Sequence, residues 1–306
     1  MSTTIKNILV PTDFSGLSVN ALTTAVAMCK RHDATLHLLH VVETRFLIAP
    51  PEANMAAIYV IPQLEKTGAE QLDLLEKKIK AKQNVTIKTH IEFGVPSNSI
   101  RDKAIDLNCD LIVMGTHGAS GFREFFIGSN AYSVIKNTSI PVLTIPGNKK
   151  VRDFRKILFP VRRNKGVLHK FNFIEPIIEK NNAELIIVGL SIAGEIDQPY
   201  DSNEEMKQFS QILGLANTDF TTQFFVCRNY ARKVLEVAKK EKVDLIVINA
   251  SLDYKWRQFF VGPYTQQVIN HAKIPVLSIR TPNAESSFAD AVKEEIVTGQ
   301  QMNLAL

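Results

Sequence analysis

The chain contains one sequence unit written twice, and this duplication limits the folds that it can adopt. Asp110-Leu-Ile-Val113 recurs as Asp244-Leu-Ile-Val247, and Arg123-Glu-Phe-Phe-Ile-Gly128 recurs at the same offset as Arg257-Gln-Phe-Phe-Val-Gly262. A repeat this long far exceeds the units of a solenoid, so it predicts a duplicated domain. Two further pairs of segments match: Ile140–Ile145 with Ile274–Ile279, and Asn7–Pro11 with Lys156–Pro160.

The chain length of 306 residues also favours two domains. The turn-rich basic stretch Pro146–Lys150 separates the two copies. We therefore predict a first domain over residues 1–148, a second domain over residues 153–281 and a C-terminal tail over residues 282–306. The tail has weak helical periodicity and either docks on a domain or frays; its apolar positions are Phe288, Ala291, Val292 and Ile296.

Strands and helices alternate along the first copy. Short apolar runs such as Asn7–Val10 and Leu111–Met114 predict buried strands, whereas Ala21–Cys29 is apolar at helical spacing. This alternation predicts an α/β fold with a parallel sheet, whose strands' carboxyl ends form the ligand-binding edge. The Pro-containing stretch Arg45–Pro62 interrupts the pattern as an irregular apolar segment. We interpret it as either a packed excursion, which we favour, or a lid or contact surface.

Glycines follow the fourth predicted strand in a G-x2-G-x9-G-Ser array. The array consists of Gly115, Gly118, Gly128 and Ser129, and a short helix is predicted directly after it. Glycines let backbone N–H groups face an anion, and a helix N-terminus adds unpaired amides and a positive dipole end. The array has neither the Gly-Lys-[Ser/Thr] ending of a P-loop nor the tight G-x-G-x-x-G turn. It therefore predicts a phosphate-binding loop of another kind.

Composition narrows the classes of function. Hydrophobic residues make up 45% and charged residues 22% of the chain, which is typical of a globular protein. The apolar runs are too short to cross a bilayer, and no signal segment precedes the first strand, so we expect a cytoplasmic protein without a membrane partner. Cys29, Cys109 and Cys227 have unrelated spacings that indicate neither disulfides nor zinc. The basic cluster at Lys149–Lys165 lacks aromatic interleaving, so no nucleic-acid partner is expected.

Val10-Pro-Thr-Asp13, the glycine array and Ile140–Ile145 together resemble the universal stress protein family. The resemblance covers nearly the whole chain as a tandem pair, strongly in the first copy and only in the framework of the second. It implies two tandem five-stranded parallel doubly wound domains, HUP-like or Rossmann-like, related by a pseudo-twofold. It also implies that the first domain binds ATP, which Mg²⁺ would accompany by neutralising phosphate charge.

The resemblance also assigns site residues in the first copy. Asp13 reads either as a ligand acceptor or as the N-cap of the following helix, and both roles are compatible. Ser129 reads as an N-cap, a phosphate ligand or both, and His117 reads as a phosphate contact or a solvent-facing residue. The implied adenosine contacts are Pro11, Thr12, Asp13 and Val41, with Met114 and Gly115 beside the ribose; the implied phosphate contacts are His117, Gly118, Gly128, Ser129 and Asn130.

The second copy departs from this pattern. A bulky Cβ at Leu252 blocks the approach of the backbone to an anion, and Pro263 lacks a donor N–H. We therefore expect no ATP site of the same kind there, although Arg162 and Arg163 are compatible with the binding of a different anion. The replaced positions are Gly115 by Asn249, Gly118 by Leu252, Ser129 by Pro263 and Asp13 by Arg162.

Three functional hypotheses follow from the residues and the resemblance. The first is a regulatory stress-response module that binds ATP and hydrolyses it slowly at most. The second is an ATPase or another enzyme on the same fold, and the third is an adaptor that binds no nucleotide. We also expect the edge strands Val142–Ile145 and Val276–Ile279 to pair, which would make the chain an internal dimer of its halves and leaves a further homodimer open. The sequence does not identify a protein partner.

We interpret His37 and His40 as packing or surface residues, because no cluster of Asp, Glu or Cys side chains lies near them at metal-binding spacing.

Overall fold

The computed structural model describes residues 4–44, 51–116, 127–147, 151–161, 167–192, 220–250 and 263–280. The strands are β1 Asn7–Pro11, β2 Thr35–Glu43, β3 Ile87–Gly94, β4 Leu111–Gly115, β5 Val142–Ile145, β6 Lys156–Val161, β7 Glu184–Ile192, β8 Phe220–Cys227, β9 Leu245–Asn249 and β10 Val276–Ile279. The helices are α1 Gly16–His32, α2 Pro51–Lys80, α3 Pro96–Asp106, α4 Ser129–Asn137, α5 Val167–Asn181, α6 Tyr230–Lys240 and α7 Pro263–His271. The predicted α/β class is confirmed.

The described residues fall into two compact units. The N-terminal unit comprises Thr4–Asp153 together with Ala250–Arg280, and the C-terminal unit comprises Phe154–Asn249. In the N-terminal unit the parallel strands lie in the order β3-β2-β1-β4-β5. The strand order therefore reverses between β1 and β4, which is the switch point where ligands bind in open α/β sheets.

Strand β10 completes the sheet of the N-terminal unit. It pairs antiparallel with β5, so that Leu277 lies opposite Leu143, and the Thr144 hydroxyl donates to the carbonyl of Val276 at 3.1 Å. The predicted domain boundaries, 1–148 and 153–281, are based on the sequence repeat. The compact units are instead defined by contacts between residues, including the pairing of β10 with β5. Because β10 covers the edge of β5, α7 and β10 belong with the N-terminal unit.

An aspartate directly before a central strand plays the same structural role in both copies. Asp110 Oδ2 accepts hydrogen bonds from the backbone N–H groups of Lys6 and Asn7 at 2.7 and 2.9 Å, which ties the start of β4 to the start of β1. In the C-terminal unit Asp244 Oδ2 accepts from the N–H groups of Arg155 and Lys156, both at 3.0 Å. The recurring Asp-Leu-Ile-Val sequence therefore marks one structural device that was duplicated with the fold.

The C-terminal unit repeats the same strand pattern. Its parallel strands lie in the order β9-β6-β7-β8. Its core includes the fully buried rings of Phe154 and Phe159. Phe159 contacts Phe171 edge-on, with ring centroids 6.3 Å apart.

The prediction of an irregular segment over Arg45–Pro62 is wrong for the part that the structure describes, because α2 begins at Pro51. Proline favours the first position of a helix, where its missing N–H has no intrahelical acceptor to lose. Good helix formers such as Ala53 and Met55 follow it. The packed-excursion interpretation also fails at Tyr59, whose side chain is 77% exposed.

Cys29, Cys109 and Cys227 are all buried free thiols. Burial raises the pKa of Cys29 and of Cys109 to about 12, so neither is a reactive thiolate near neutral pH. Among the described helices, none combines the length and apolar character that a bilayer crossing requires.

Candidate functional site at the sheet switch point

A cavity of about 340 Å³ lies at the carboxyl ends of β1, β2 and β4. Every predicted site residue that the structure describes lines this one cavity, although these residues come from four separate parts of the chain. His117 and Gly118 lie outside the described residues. The predicted residues in the lining are Pro11, Thr12, Asp13, Val41, Met114, Gly115, Gly128, Ser129 and Asn130.

The turn between β1 and α1 holds its shape through side-chain hydrogen bonds. Asp13 Oδ1 accepts from the N–H of Ser15 at 3.0 Å and from its hydroxyl at 2.6 Å. Phe14 has a φ of 64°, a left-handed conformation that a bulky residue rarely adopts, and its N–H donates to Thr12 Oγ1 at 3.0 Å. The N-cap of α1 is Ser15, which accepts from the N–H of Ser18. The N-cap alternative for Asp13 is therefore wrong: Asp13 is exposed and supports the cap residue.

His40 braces this turn from the adjacent strand. Its Nδ1 donates to the carbonyl of Thr12 at 2.9 Å, and its ring lies 4.5 Å from the ring of Phe14. Helix α2 approaches the ring closely at Gly68, where an added Cβ would lie 2.8 Å from His40 Cδ2. His40 is thus a packing residue, as predicted, but its packing positions the ligand-facing turn.

The N-terminus of α4 opens onto the opposite wall of the cavity. Gly128 is the N-cap and Ser129 is the first helical residue, so the N-cap alternative for Ser129 is wrong. The first intrahelical hydrogen bond runs from Tyr132 N–H to Gly128, which leaves the preceding amides of the helix without intrahelical acceptors. Asn270 of α7 fixes the entry to this helix, because its Oδ1 accepts from the N–H of Ile127 at 2.8 Å.

Sequence reasoning missed several cavity residues. Leu39 and Glu43 lie two positions before and after Val41 on β2, so all three side chains point to the same face of the strand. This period-two spacing is a signal that the sequence contained. Pro96 and Ile100 of α3 add an apolar wall. The other missed residues are Ser18, Thr116 and Ala131.

The chemistry of the lining suits a polar ligand with an apolar part. Asp13 and Glu43 supply carboxylates, and the described lining contains no lysine or arginine. Within the part of the chain that the structure describes, no group of three or more Asp, Glu, His or Cys side chains is arranged to bind a metal ion. A cation here would therefore need oxygen atoms from a bound ligand as well as from the protein.

The corresponding strand end of the second copy is filled by a buried cation. Lys170 of α5 is 2% exposed, and its Nζ donates to the carbonyl of Pro160 at 2.6 Å. The same ammonium lies 4.0 Å from the ring centroid of Phe159. Pro160 of β6 matches Pro11 of β1 in the repeat, so in the second copy a buried ammonium binds the strand end that lines the cavity in the first. Arg162, Arg163 and Leu252 lie outside the described residues.

Comparisons with known proteins agree with this architecture. The sequence model of the universal stress protein family matches residues 4–146 and 215–280, which is more than half of the chain. A universal stress protein of Methanocaldococcus jannaschii is 37% identical over 146 residues, covering 47% of this chain and 84% of that protein. A Staphylococcus aureus protein named for the same family is 30% identical over 156 residues, covering 50% of this chain and 90% of that protein.

A solved structure shows the same fold along nearly the entire chain. A universal stress protein from Archaeoglobus fulgidus superposes with a TM-score of 0.70, covering 91% of this chain and 97% of that one. At 19% sequence identity this likeness concerns the fold alone. The matched residues span nearly all of the first copy and the latter part of the second. The chain therefore belongs to the universal stress protein family, and this membership supports a role in the stress response.

Proposed function

We propose that the N-terminal unit binds ATP in the switch-point cavity and that the protein acts as a nucleotide-responsive regulator in the stress response. The observation that carries this proposal is the convergence of the predicted residues on a single cavity. Its volume of about 340 Å³ lies within the usual range for small-molecule sites.

The adenosine moiety would occupy the part of the cavity nearest β1 and β2. Apolar side chains such as Val41 and Met114 offer flat contact surface for a base, with Ile100 closing one side. Asp13 and Glu43 supply carboxylate oxygens, which accept hydrogen bonds from ribose hydroxyls or from an amino group. Such a combination of apolar surface and few directed acceptors is typical of ligand sites.

The phosphates would lie at the N-terminus of α4. The free amides and the positive dipole end of a helix favour an anion at this position. Gly128 places no side chain between the ligand and these amides, and the exposed Ser129 adds a hydroxyl donor. The carboxylates of Asp13 and Glu43 repel phosphate charge, so we propose that Mg²⁺ accompanies the nucleotide.

Calorimetric titration of the full chain with ATP, with and without Mg²⁺, tests this proposal. We expect saturable one-site binding that Mg²⁺ strengthens. Val41→Trp should abolish binding because the indole fills the cavity, whereas Thr89→Trp on the exposed part of β3 should leave affinity unchanged. Absence of binding at millimolar ATP by a folded wild-type chain would contradict the proposal.

Regulation is favoured over turnover because the described lining supplies binding groups but no histidine, lysine or arginine that would act on a phosphoryl group. Steady-state release of phosphate from ATP distinguishes the two. A rate of roughly 1–1000 per second, the ordinary enzyme range, would assign an ATPase instead. A slower rate that does not change with Glu43→Gln would support the regulatory role.

A further inference from the structure

A second, larger cavity lies between α1 and α2, away from the switch point. It has a volume of about 620 Å³, and it shares no lining residue with the nucleotide cavity. We call it the α1–α2 groove. Its floor is apolar and is formed by Val19, Leu22 and Val26 of α1 with Leu75 and Ile79 of α2.

The rim of the α1–α2 groove carries an excess of positive charge. The basic residues there come from α1, from the end of α2 and from the segment before β6, and Asp153 is the one carboxylate in the described lining. Asp153 already pairs with the Nη2 group of Arg31. The basic rim residues are Lys30, Arg31, Lys78, Lys82 and Arg152.

Arg31 lines this groove and has one guanidinium nitrogen that lacks a hydrogen-bond partner. Its Nη2 donates to the carbonyl of Arg152 at 2.8 Å and to Asp153. Its Nη1 is buried and finds no acceptor among the described residues. A buried donor without an acceptor is costly, so an anionic group entering the groove would remove a penalty as well as gain an ion pair.

We propose that the α1–α2 groove binds a single-chain anionic amphiphile, with its hydrocarbon chain along the apolar floor and its head group at Arg31. The positive charge of the rim favours an anionic head group, and the apolar floor favours a hydrocarbon chain. A compact site of this volume matches a small ligand. The basic residues at the end of α1 also complement its helix dipole. The same role accounts for Lys78 in the last turn of α2, but not for Lys82 and Arg152, which lie outside both helices.

Calorimetric titration of the full chain with octanoate, decanoate and dodecanoate, each below its micelle concentration, tests the proposal. Affinity should rise with chain length, by up to about fourfold for each added methylene, because each buries more apolar surface. Neutral decan-1-ol should bind more weakly than decanoate. Decyl phosphate distinguishes the head groups: tighter binding than decanoate indicates a phosphate amphiphile, and weaker binding indicates a carboxylate, both within the proposed class.

Two variants and a matched control locate the binding. Lys78→Glu at the rim should weaken decanoate binding about three- to tenfold, whereas Lys66→Glu makes the same charge change on α2 outside the groove and should not. Ala27→Phe should fill the groove and weaken binding at least tenfold. Thermal melting confirms that each variant is folded. If Ala27→Phe does not fold, Lys78→Glu alone tests where the ligand binds.

The following results would overturn the proposal. One is the failure of dodecanoate to bind the wild-type chain, and another is equal affinity for decanoate and decan-1-ol. Unchanged decanoate affinity in folded Lys78→Glu also contradicts it. Saturating Mg²⁺–ATP should leave decanoate affinity unchanged, so competition between them would mean that the amphiphile occupies the nucleotide cavity instead.

Discussion

His37 and His90 form a neutral hydrogen-bonded pair across β2 and β3. Nδ1 of His37 lies 3.0 Å from Nε2 of His90, and the rings stack with an angle of 18° between their planes. His37 Nε2 lies 3.2 Å from Asn7 Oδ1, an acceptor, so this nitrogen carries the proton and His90 Nε2 donates to His37 Nδ1. The chain of hydrogen bonds joins three adjacent strands.

This pair should make the protein less stable in mild acid. Burial lowers the pKa of His37 from 6.5 to about 4, with smaller effects from His90 and Lys88, and burial also lowers the pKa of His90. The unfolded chain binds these protons more readily, so the stabilisation is complete above about pH 6.5 and is lost as the pH falls towards 4. We expect a decrease in unfolding free energy of roughly 1–3 kcal/mol between pH 7 and 4.5, measured by urea denaturation.

Substitution identifies the source of this pH dependence. His37→Leu should flatten the dependence of the unfolding free energy on pH between 6.5 and 4. His271→Gln, which changes an exposed histidine on α7, should retain the wild-type slope. Equal slopes in His37→Leu and the wild type would assign the acid sensitivity to other groups.

The edge of β5 should make the isolated first domain self-associate. Residues 1–148 contain β5 but not β10, so the N–H and C=O groups that pair with Leu277 in the full chain are left open. We expect concentration-dependent oligomers in analytical ultracentrifugation. The full chain, in which β10 pairs with β5, is the matched control and should self-associate less. A monomeric 1–148 fragment at high concentration would contradict this role of β10.

The glycine array makes its own prediction. Gly118→Leu copies the residue of the second sequence copy, Leu252, and should abolish ATP binding because a side chain blocks the approach of the phosphates to the backbone. Gly16→Leu is the matched control, since a Cβ at this position meets nothing within 4 Å. Calorimetry with ATP and thermal melting of both variants provide the measurement. Unchanged ATP affinity in folded Gly118→Leu would place the nucleotide elsewhere.

The substitution Gly68→Ala in α2 has two opposing effects on the stability of the protein. Alanine in a helix interior is favoured over glycine by about 1 kcal/mol, but here the new Cβ would lie 2.8 Å from Cδ2 of His40. Because His40 is held by Thr12 and Phe14, we expect the clash to outweigh the propensity and to disturb the ligand-facing turn. Stability should not rise, and ATP affinity should fall about two- to tenfold.

The exposed neighbour Thr67 provides the control for this variant. Thr67→Ala makes a helix-favouring change one residue away and should keep the wild-type affinity for ATP. A higher melting temperature for Gly68→Ala, together with unchanged ATP affinity, would show that His40 moves without consequence for the turn.

The convergence of site residues was predictable from sequence because it depends on topology. Once strands and helices alternate, Pro11–Asp13 and Gly115 must lie at the same sheet edge. The capping of α1 was not predictable in this way. Thr-Asp-Phe-Ser indicates a cap at Asp13, but the left-handed φ of Phe14 delays the start of the helix by two residues, and Ser15 becomes the cap. That conformation is held by a local hydrogen bond to Thr12 and by a tertiary contact with His40, and no local pattern records the second.

Features that depend on packing between distant elements were also not predictable from the sequence. The apolar residues of α1 predict a buried face, but they do not distinguish a filled contact from the open α1–α2 groove. The start of α2 at Pro51 was missed because two prolines and an apolar run were interpreted as loop signals. By contrast, Val142–Ile145 could be identified as an edge strand because it is short, apolar and last in its copy.

The pairing of β5 with β10 has a consequence for biosynthesis. A ribosome adding about 5–20 residues per second finishes β5 well before it reaches Val276, so the nascent N-terminal unit waits on the order of ten seconds for its last strand. During that interval an apolar strand edge faces the crowded surface of the ribosome and neighbouring nascent chains. Codon usage between the two copies, and chaperones that shield strand edges, would therefore affect the yield of this protein.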